Sequence, residues 1–189
     1  AASDVYKRQE VPGKNMKYLI YRLRQAFSLI SDEQLVLSTA FGYQLNPNLH
    51  ITTDFQKCDE LTVAAAKATS VVNKVGLMEK AVELYQGKLL SSAEGEHWLV
   101  HTANRYHFAY MSTANELLKQ LMTIHAYDLI HQYAALALTI APENTKAYYW
   151  LIQSYLKQNM EKMATGELVA ARQKLPDEEY QKLLQELKK

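Results

Sequence analysis

The sequence predicts a mainly α-helical protein with one short β-hairpin near its amino-terminal end. Hydrophobic residues make up 48% of the 189 positions, and the chain has only six glycines and four prolines, which favours a helical globular protein over a disordered one. Apolar residues recur at helical spacing over most of the chain beyond Phe55. The segments 34–37 and 43–45 are strand-like, and Gly42 beside the second segment is typical of a hairpin.

The first predicted element is a helix that begins after Pro12 and has two unlike faces. Its apolar face comprises Met16, Leu19, Ile20, Leu23, Ala26 and Phe27. The other face comprises Lys14, Lys17, Tyr18, Tyr21 and Gln25, with Arg22 and Arg24 at its margins. We expect the apolar face to be buried and the cationic, aromatic face to be exposed. An exposed cationic helix is usually only solvated, but the hairpin beside it favours nucleic-acid binding.

These two segments resemble the end of an OmpR-type winged helix-turn-helix. Residues 15–24, with Arg-Leu-Arg at their end, are similar to its recognition helix, and residues 41–47, with Gly-Tyr-Gln-Leu-Asn-Pro, are similar to its wing. The resemblance implies that the helix enters the major groove of promoter DNA and that the hairpin touches the adjacent backbone or minor groove. The DNA-binding residues that it implies are Lys14, Asn15, Lys17, Tyr18, Tyr21, Arg22 and Arg24.

Two features depart from that family. The wing tip at 38–41 has neither lysine nor arginine, and only about a dozen residues precede the helix, where the family has strands and two further helices. Residues 4–9 also resemble translated sequencing adaptor, and no methionine precedes them. We therefore expect residues 1–9 to be a non-native leader on an amino-terminally truncated sequence. A natural, unstructured amino terminus is the alternative.

Beyond the hairpin the sequence predicts a succession of helices. The first is expected to run from Phe55 to Gly76 and the second from Leu77 to Tyr85, where Gly87 is placed to supply a left-handed cap. A loop at 91–95 precedes a long helix from Trp98 to Met122. Further helices are expected at 127–140, 146–158, 161–174 and 177–188. The last has one apolar stripe, as a capping helix requires: Tyr180, Leu183, Leu184 and Leu187.

Part of this region repeats with a period of 34 residues, which is the tetratricopeptide signature. The matched pairs are Leu117 with Leu151, Leu118 with Ile152, Leu121 with Tyr155, Ala134 with Leu168, Ala137 with Ala171, and Pro142 with Pro176. His125 and Asn159 stand where such repeats usually have a glycine. Because asparagine tolerates a left-handed backbone better than histidine does, we expect the turn at His125 to be longer.

A second resemblance covers the start of the helical region. Residues 80–90, followed by Trp98 and Arg105-Tyr106, are similar to the opening of a bacterial transcriptional activator domain, which follows an OmpR-type winged helix in SARP-type regulators. The resemblance implies that the helices mediate contacts with a protein partner or self-association. The expected organisation is a leader at 1–9, the end of a winged helix (one helix plus a β-hairpin) at 10–54, and a tetratricopeptide-like array of antiparallel helix pairs at 55–189.

Enzyme chemistry is not expected. His97 and His101 lie one helical turn apart, but no third metal ligand stands at a suitable spacing, and Trp98 occupies the position where a zinc protease has glutamate. Cys58 lies on an apolar stripe, where a small buried hydrophobe is commoner than a nucleophile. No phosphate loop, nucleophile elbow or dinucleotide fingerprint occurs. We therefore expect no catalytic residue, cofactor, metal or small-molecule substrate.

Net charge, cysteine content and hydropathy limit the classes of function that the protein can have. A net charge of +1 provides no global attraction to DNA, so binding must depend on the local cationic face. The single cysteine excludes an intramolecular disulfide and is typical of the reducing cytoplasm. No apolar run is long enough to span a membrane. Together with these observations, the two resemblances imply part of a cytoplasmic, DNA-binding transcriptional regulator of SARP type. The alternative is a tetratricopeptide-like adaptor that does not bind DNA.

Overall fold

A computed structural model describes residues 12–90 and 97–188, with side chains from residue 15 onward. These residues form eight helices and one two-stranded sheet. The elements are α1 (Pro12–Phe27), β1 (Val36–Thr39), β2 (Gly42–Leu45), α2 (Asp54–Lys67), α3 (Val71–Leu84), α4 (His97–Thr123), α5 (Tyr127–Ile140), α6 (Thr145–Lys157), α7 (Glu161–Lys174) and α8 (Asp177–Leu187). The expected leader at 1–9 and loop at 91–95 lie outside the described residues.

The chain divides into two compact units between Ile51 and Thr52. The first contains α1 and the hairpin formed by β1 and β2, and the second contains α2 to α8. The predicted fold class is confirmed: the protein is mainly α-helical, and one helix and a β-hairpin precede an array of antiparallel helix pairs. None of the described helices is both long enough and apolar enough to cross a membrane.

In the second unit each helix from α2 to α7 packs on the next, and α6 also contacts α4 and α8. The 34-residue pattern marks the core of this array. Leu117 and its equivalent Leu151 are buried, and so are Ala137 and Ala171. The small alanines let neighbouring helices approach closely, so that the larger leucines fill the space between them. In α8 the predicted stripe faces the core through Leu183, which is fully buried.

The start of α2 is fixed by a capping box. The Thr53 hydroxyl accepts a hydrogen bond from the Gln56 backbone N–H at 3.2 Å, and the Gln56 side-chain oxygen accepts one from the Thr53 backbone N–H at 3.0 Å. Two backbone donors that the helix itself leaves unpaired are thereby satisfied. The residues Thr-Asp-Phe-Gln at 53–56 therefore set the point where the helical array begins.

The predicted boundary between the first two helices of the array is wrong. Helix α2 ends at Lys67 because Ala68 is extended, and α3 begins at Val71, so Gly76 lies inside α3 instead of closing a helix. The chain reverses at 68–70 so that Ala65 and Val75 enter one core cluster. This packing outweighs the modest cost of glycine within a helix. Gly87 does adopt a positive φ of 133°, but it lies three residues beyond the end of α3.

The expectation of a longer turn at His125 is also wrong. Three residues separate α4 from α5 and three separate α6 from α7, and the central residues His125 and Asn159 have φ of 57° and 58°. The histidine thus adopts the left-handed conformation that the repeat requires. Tertiary packing on both sides of the turn fixes its geometry despite the less favourable residue.

Candidate nucleic-acid interface

The cationic side of α1 is exposed. Tyr18 and Tyr21 have 58% and 62% of their surface accessible to solvent, and Asn15, Lys17 and Arg22 are exposed as well. Within the described part of the chain no ion pair neutralises Lys17 or Arg22. Lys14 lies in the first turn of α1, but its side chain is outside the described residues. Residues 12–51 contain four basic and two acidic side chains, so this unit carries a local positive charge that can attract phosphate.

Arg22 also lies close to an aromatic ring on the same helix. Its guanidinium carbon is 6.0 Å from the centroid of the Tyr18 ring, one helical turn away. At this distance, and on an exposed surface, the cation–π attraction is weak. It nevertheless places a planar cation and an aromatic ring side by side, which is an arrangement suited to phosphate and base contacts.

Arg24 connects the helix to the hairpin. Its Nε donates a hydrogen bond to the Val36 carbonyl oxygen, and its Nη2 donates one to the Ser38 Oγ, both at 2.9 Å. The side chain is half-buried, and its Nη1 makes no hydrogen bond within the described residues. A guanidinium can span two acceptors in this way because its N–H groups are rigidly arranged in one plane. Arg24 therefore fixes the position of β1 beside α1.

The hairpin is built around a short loop that needs a glycine. Val36 pairs with Leu45, and Thr39 pairs with Gly42, so only Ala40 and Phe41 connect the strands. The φ angle is positive at Gly42, at 133°, and not at the two loop residues. The Thr39 Oγ1 donates to the Gly42 carbonyl at 3.2 Å and accepts from the Phe41 N–H at 3.3 Å. The loop is therefore held by the Thr39 hydroxyl and by a backbone conformation that favours glycine.

Asn46 fastens the other end of the hairpin. Its backbone N–H donates to the Leu35 carbonyl and its Nδ2 donates to the Gln34 carbonyl, both at 2.9 Å. Its Oδ1 accepts from the Asn48 N–H at 3.0 Å, which makes an Asx turn over Pro47. The side chain is buried although it is polar, and these bonds satisfy it. The Asn-Pro pair that ends the hairpin in the sequence thus has a structural role.

The expected burial of the apolar face of α1 is only partly observed. Leu19 and Leu23 keep 59% and 42% of their surface exposed, and Met16 is exposed too. Ile20 and Phe27 are half-buried, and they lie on the same edge of the helix as Arg24, which contacts β1. Only this edge of the apolar face is partly buried, and its centre is exposed.

Sequence patterns alone did not single out Phe41 or the role of Arg24. Phe41 is fully exposed at the hairpin tip, where residues 38–41 include neither lysine nor arginine. The sequence feature that could have indicated this exposure is an aromatic residue that lies between two strand segments and directly before a glycine. Arg24 was expected to lie near phosphate, and a helical wheel cannot indicate its bonds to residues 12 and 14 positions further along the chain.

The described residues around the His97/His101 pair and Cys58 do not form a metal site or a catalytic site. His97 and His101 are exposed on α4, and across the described ranges no three His, Cys, Asp or Glu side chains are grouped as metal ligands. The Cys58 Sγ donates to the Ala81 carbonyl at 3.3 Å. Burial raises the pKa of this thiol, and Asp54 and Asp59 raise it further. The thiol is therefore kept protonated, which is the opposite of what a nucleophile needs.

A comparison with protein families decides the assignment of the second unit. The model of the bacterial transcriptional activator domain matches residues 53–189, and this match begins at the capping box of α2. The chain belongs to the bacterial transcriptional activator domain family. This is a family of regulatory domains and not of enzymes. No curated protein matches the chain.

The residues that match the bacterial transcriptional activator domain are those of the helical array. The candidate interface lies outside this match. Residues 12–51, which contain α1 and the hairpin, precede the matched residues. Family membership therefore supports a role in transcriptional regulation, and it does not test the DNA contacts that the sequence predicts for α1.

Proposed function

We propose that this protein is part of a SARP-type transcriptional regulator of the bacterial cytoplasm, in which α1 and the hairpin bind promoter DNA as the end of a winged helix-turn-helix. The observation that carries the proposal is the exposed cationic and aromatic side of α1 next to a hairpin that Arg24 holds in place. Membership of the helical array in a family of transcriptional activator domains supports it. A helix of this kind fits the major groove, and an adjacent hairpin reaches the backbone.

Each residue of the interface has a distinct role in this proposal. Lys14, Lys17 and Arg22 neutralise phosphates, and Asn15, Tyr18 and Tyr21 face the base edges or the sugar–phosphate backbone. Arg24 contributes through Nη1 to phosphate binding while its other nitrogens position the hairpin. Phe41 provides an apolar contact at the hairpin tip instead of a phosphate contact, because the tip has no cation.

The helical array has the second role, which is contact with another protein or with a second copy of the chain. Its antiparallel pairs stack side by side and create an extended surface of the kind that helical repeats use for binding. Neither role requires a cofactor, a metal or a small-molecule substrate.

Fluorescence anisotropy with a labelled DNA duplex tests the DNA-binding role. We expect weak binding by the 189-residue chain at physiological salt, with a dissociation constant of about 1–100 μM, as in non-specific binding, because Leu19 and Leu23 are exposed and α1 is not fully supported. Lys17→Gln and Arg22→Gln should each reduce the slope of log affinity against log salt by about 0.9, the value for one lost phosphate contact.

Lys162→Gln, an exposed substitution on α7, is the matched control and should leave that slope unchanged. Sub-micromolar, salt-sensitive binding of one duplex sequence would contradict the expectation of weak binding. A salt slope that neither Lys17→Gln nor Arg22→Gln alters would contradict the proposed contacts.

The alternative is an adaptor that binds proteins and not DNA, and the 34-residue period of the array favours it. The genomic sequence upstream of Glu10 discriminates between the two proposals. A segment that encodes strands and two further helices supports the regulator. Further 34-residue repeats in that position support the adaptor.

A further inference from the structure

An open groove of about 380 Å³ lies in the second unit between α4, α6 and α8. It forms where α6 packs on α4 and on α8. Its volume lies near the lower end of the range for ligand-binding clefts, which suits a small molecule. The side chains that determine its chemistry are Glu116 and Lys119 on α4, Lys146, Tyr149 and Trp150 on α6, and Glu186 on α8.

Glu116 contributes no free negative charge to the groove. Its carboxylate accepts hydrogen bonds from the Lys74 Nζ at 3.0 Å and the Gln120 Nε2 at 2.8 Å. Burial raises the pKa of Glu116, but these hydrogen bonds and the charges of Lys74 and Lys119 outweigh that effect and lower it. The carboxylate is therefore ionised, and the Lys74 ammonium already balances its charge.

The remaining charge of the groove is positive. Lys119 and Lys146 are exposed and form no ion pair within 12–90 and 97–188, and the same holds for Glu186. Two such cations against one such carboxylate leave a single excess positive charge. Charge complementarity therefore favours a ligand with one negative charge over a dianion such as phosphate.

Tyr149 and Trp150 form the aromatic part of the groove. Their ring centroids are 4.8 Å apart with an interplanar angle of 75°, which is an edge-to-face arrangement. Both side chains are half-buried, so part of each ring is accessible. A planar ring of a ligand can pack on this surface, whereas a bare inorganic anion would leave it uncovered.

We propose that this groove binds a small aromatic carboxylate that carries a hydroxyl group at the opposite end of its ring. The two carboxylate oxygens accept hydrogen bonds from Lys119 and Lys146, and the hydroxyl donates to Glu186. The ring packs on Tyr149 and Trp150. The ligand is bound and not chemically changed. This site goes beyond the two roles proposed above and depends on neither of them.

The two tryptophans of the chain make nuclear magnetic resonance a direct test. In isotope-labelled protein each indole N–H gives one signal, and a Trp98→Phe variant identifies the signal of Trp150. Trp98 lies outside the lining of the groove, so its signal is an internal control. The probe is para-hydroxybenzoate, and its uncharged methyl ester is the matched control ligand.

The expected result is a shift of the Trp150 signal by para-hydroxybenzoate, while the Trp98 signal stays in place. The dissociation constant should be about 0.1–1 mM, as for a ligand of about ten non-hydrogen atoms. The methyl ester should bind about tenfold more weakly, because it cannot accept charge-assisted hydrogen bonds as a carboxylate does. Terephthalate, in which a second carboxylate replaces the hydroxyl, should also bind more weakly because it is repelled by Glu186, and Glu186→Gln should remove this difference.

Variants of the groove locate the binding. Lys119→Gln and Lys146→Gln should each weaken the binding of para-hydroxybenzoate about tenfold. Lys162→Gln, which lies outside the groove, should have no effect. Both groove lysines are exposed, so their replacement is expected to preserve the fold, and circular dichroism checks this.

The contrary outcomes are distinct. Equal affinity for the carboxylate and its methyl ester, an unshifted Trp150 signal at about 10 mM ligand, or binding that neither lysine variant weakens would overturn the proposal. Equal affinity for inorganic phosphate would also overturn it, because the groove would then accept any anion. So would an equal shift of the Trp98 signal, since the ligand would then bind without preference for the groove.

Discussion

His125 and Asn159 occupy the same left-handed backbone conformation at equivalent turns of the array, 34 residues apart. The hydrogen bonds around them are equivalent too. The Ala126 N–H donates to the Leu121 carbonyl at 3.0 Å, and the Met160 N–H donates to the Tyr155 carbonyl at 2.9 Å. Both turns are Schellman motifs, which cap the carboxyl end of a helix through one residue of positive φ. The repeat is therefore conserved within the chain in backbone geometry although its turn residue differs.

Replacing His125 with glycine should stabilise the protein. A non-glycine residue in the left-handed region costs about 1 kcal/mol, and asparagine tolerates this region better than histidine. We expect His125→Gly to raise the free energy of unfolding in urea by about 0.5–1 kcal/mol, and Asn159→Ala to lower it by about 1 kcal/mol. The His125 Nδ1 lies 3.1 Å from the Tyr127 Oη, so Tyr127→Phe is the control for loss of this exposed contact. A destabilised His125→Gly protein with an unaffected Tyr127→Phe protein would contradict the argument.

The sequence predicted where these turns lie in the chain but not their backbone conformation. The spacing of Leu117, Leu121 and their equivalents indicates where helices pack, since burial follows helical periodicity. It does not indicate whether a histidine will accept a positive φ, because the packing of both flanking helices decides that. The sequence does not indicate the break at 68–70 for the same reason. No glycine or proline marks it, and the burial of Ala65 and Val75 in one core requires it.

Arg24 should control the stability of the hairpin more than Lys17 or Arg22 does. Lysine has a single charged nitrogen and cannot reproduce the planar contact with the Val36 carbonyl and the Ser38 hydroxyl. We expect Arg24→Lys to accelerate amide hydrogen exchange in residues 36–45 about fivefold, which corresponds to about 1 kcal/mol for partly exposed, charge-assisted bonds. Ser38→Ala removes one of the two bonds and should have a smaller effect. Unchanged exchange in Arg24→Lys would refute the positioning role.

Helical periodicity predicted the candidate interface only in part, because it describes one helix and not its contacts with other elements. A helical wheel places Lys17, Tyr18 and Tyr21 on one side of α1, and these residues are exposed. The wheel contains no information about contacts between elements, so it predicts Arg24 at the margin of the cationic face, without its bonds to the hairpin, and it predicts that the apolar face is buried. Whether Leu19 and Leu23 are covered depends on partners of the helix and not on their spacing within it.

Two buried tyrosines should respond differently to removal of their hydroxyl groups. The Tyr133 Oη donates to the Glu83 Oε1 at 2.8 Å, whereas the Tyr110 Oη is buried with no partner among the described residues. Loss of a hydrogen bond to a charged group costs about 1–2 kcal/mol, while removal of an unsatisfied polar atom is neutral or favourable. We therefore expect Tyr133→Phe to lower the free energy of unfolding by about 1–2 kcal/mol and Tyr110→Phe to leave it unchanged or raise it. Equal destabilisation by both substitutions would mean that the Tyr110 hydroxyl has a hydrogen-bond partner.

His131 should make the helical array less stable as the pH falls. Its Nε2 lies 2.9 Å from the Ser154 Oγ, and its ring stacks on Tyr155 with centroids 4.3 Å apart. Burial lowers the pKa of His131, and the nearby Asp128 opposes this effect only in part. Burial also lowers the pKa of His107, and Lys88 lowers it further.

The sign of the pH effect follows from these lowered pKa values. The unfolded chain binds protons at these histidines more readily than the folded protein does, with an ordinary pKa of about 6.5. Their contribution to stability is therefore complete above that pH and is lost as the pH falls through the lower folded value. Urea unfolding between about pH 5.5 and 7.5 should give a free energy that rises with pH, and His131→Gln should flatten this dependence in part, because His107 still contributes. His101→Gln, at an exposed position on α4, should leave the dependence unchanged, and a slope that persists in full after His131→Gln would show that protonation of this ring is not coupled to unfolding.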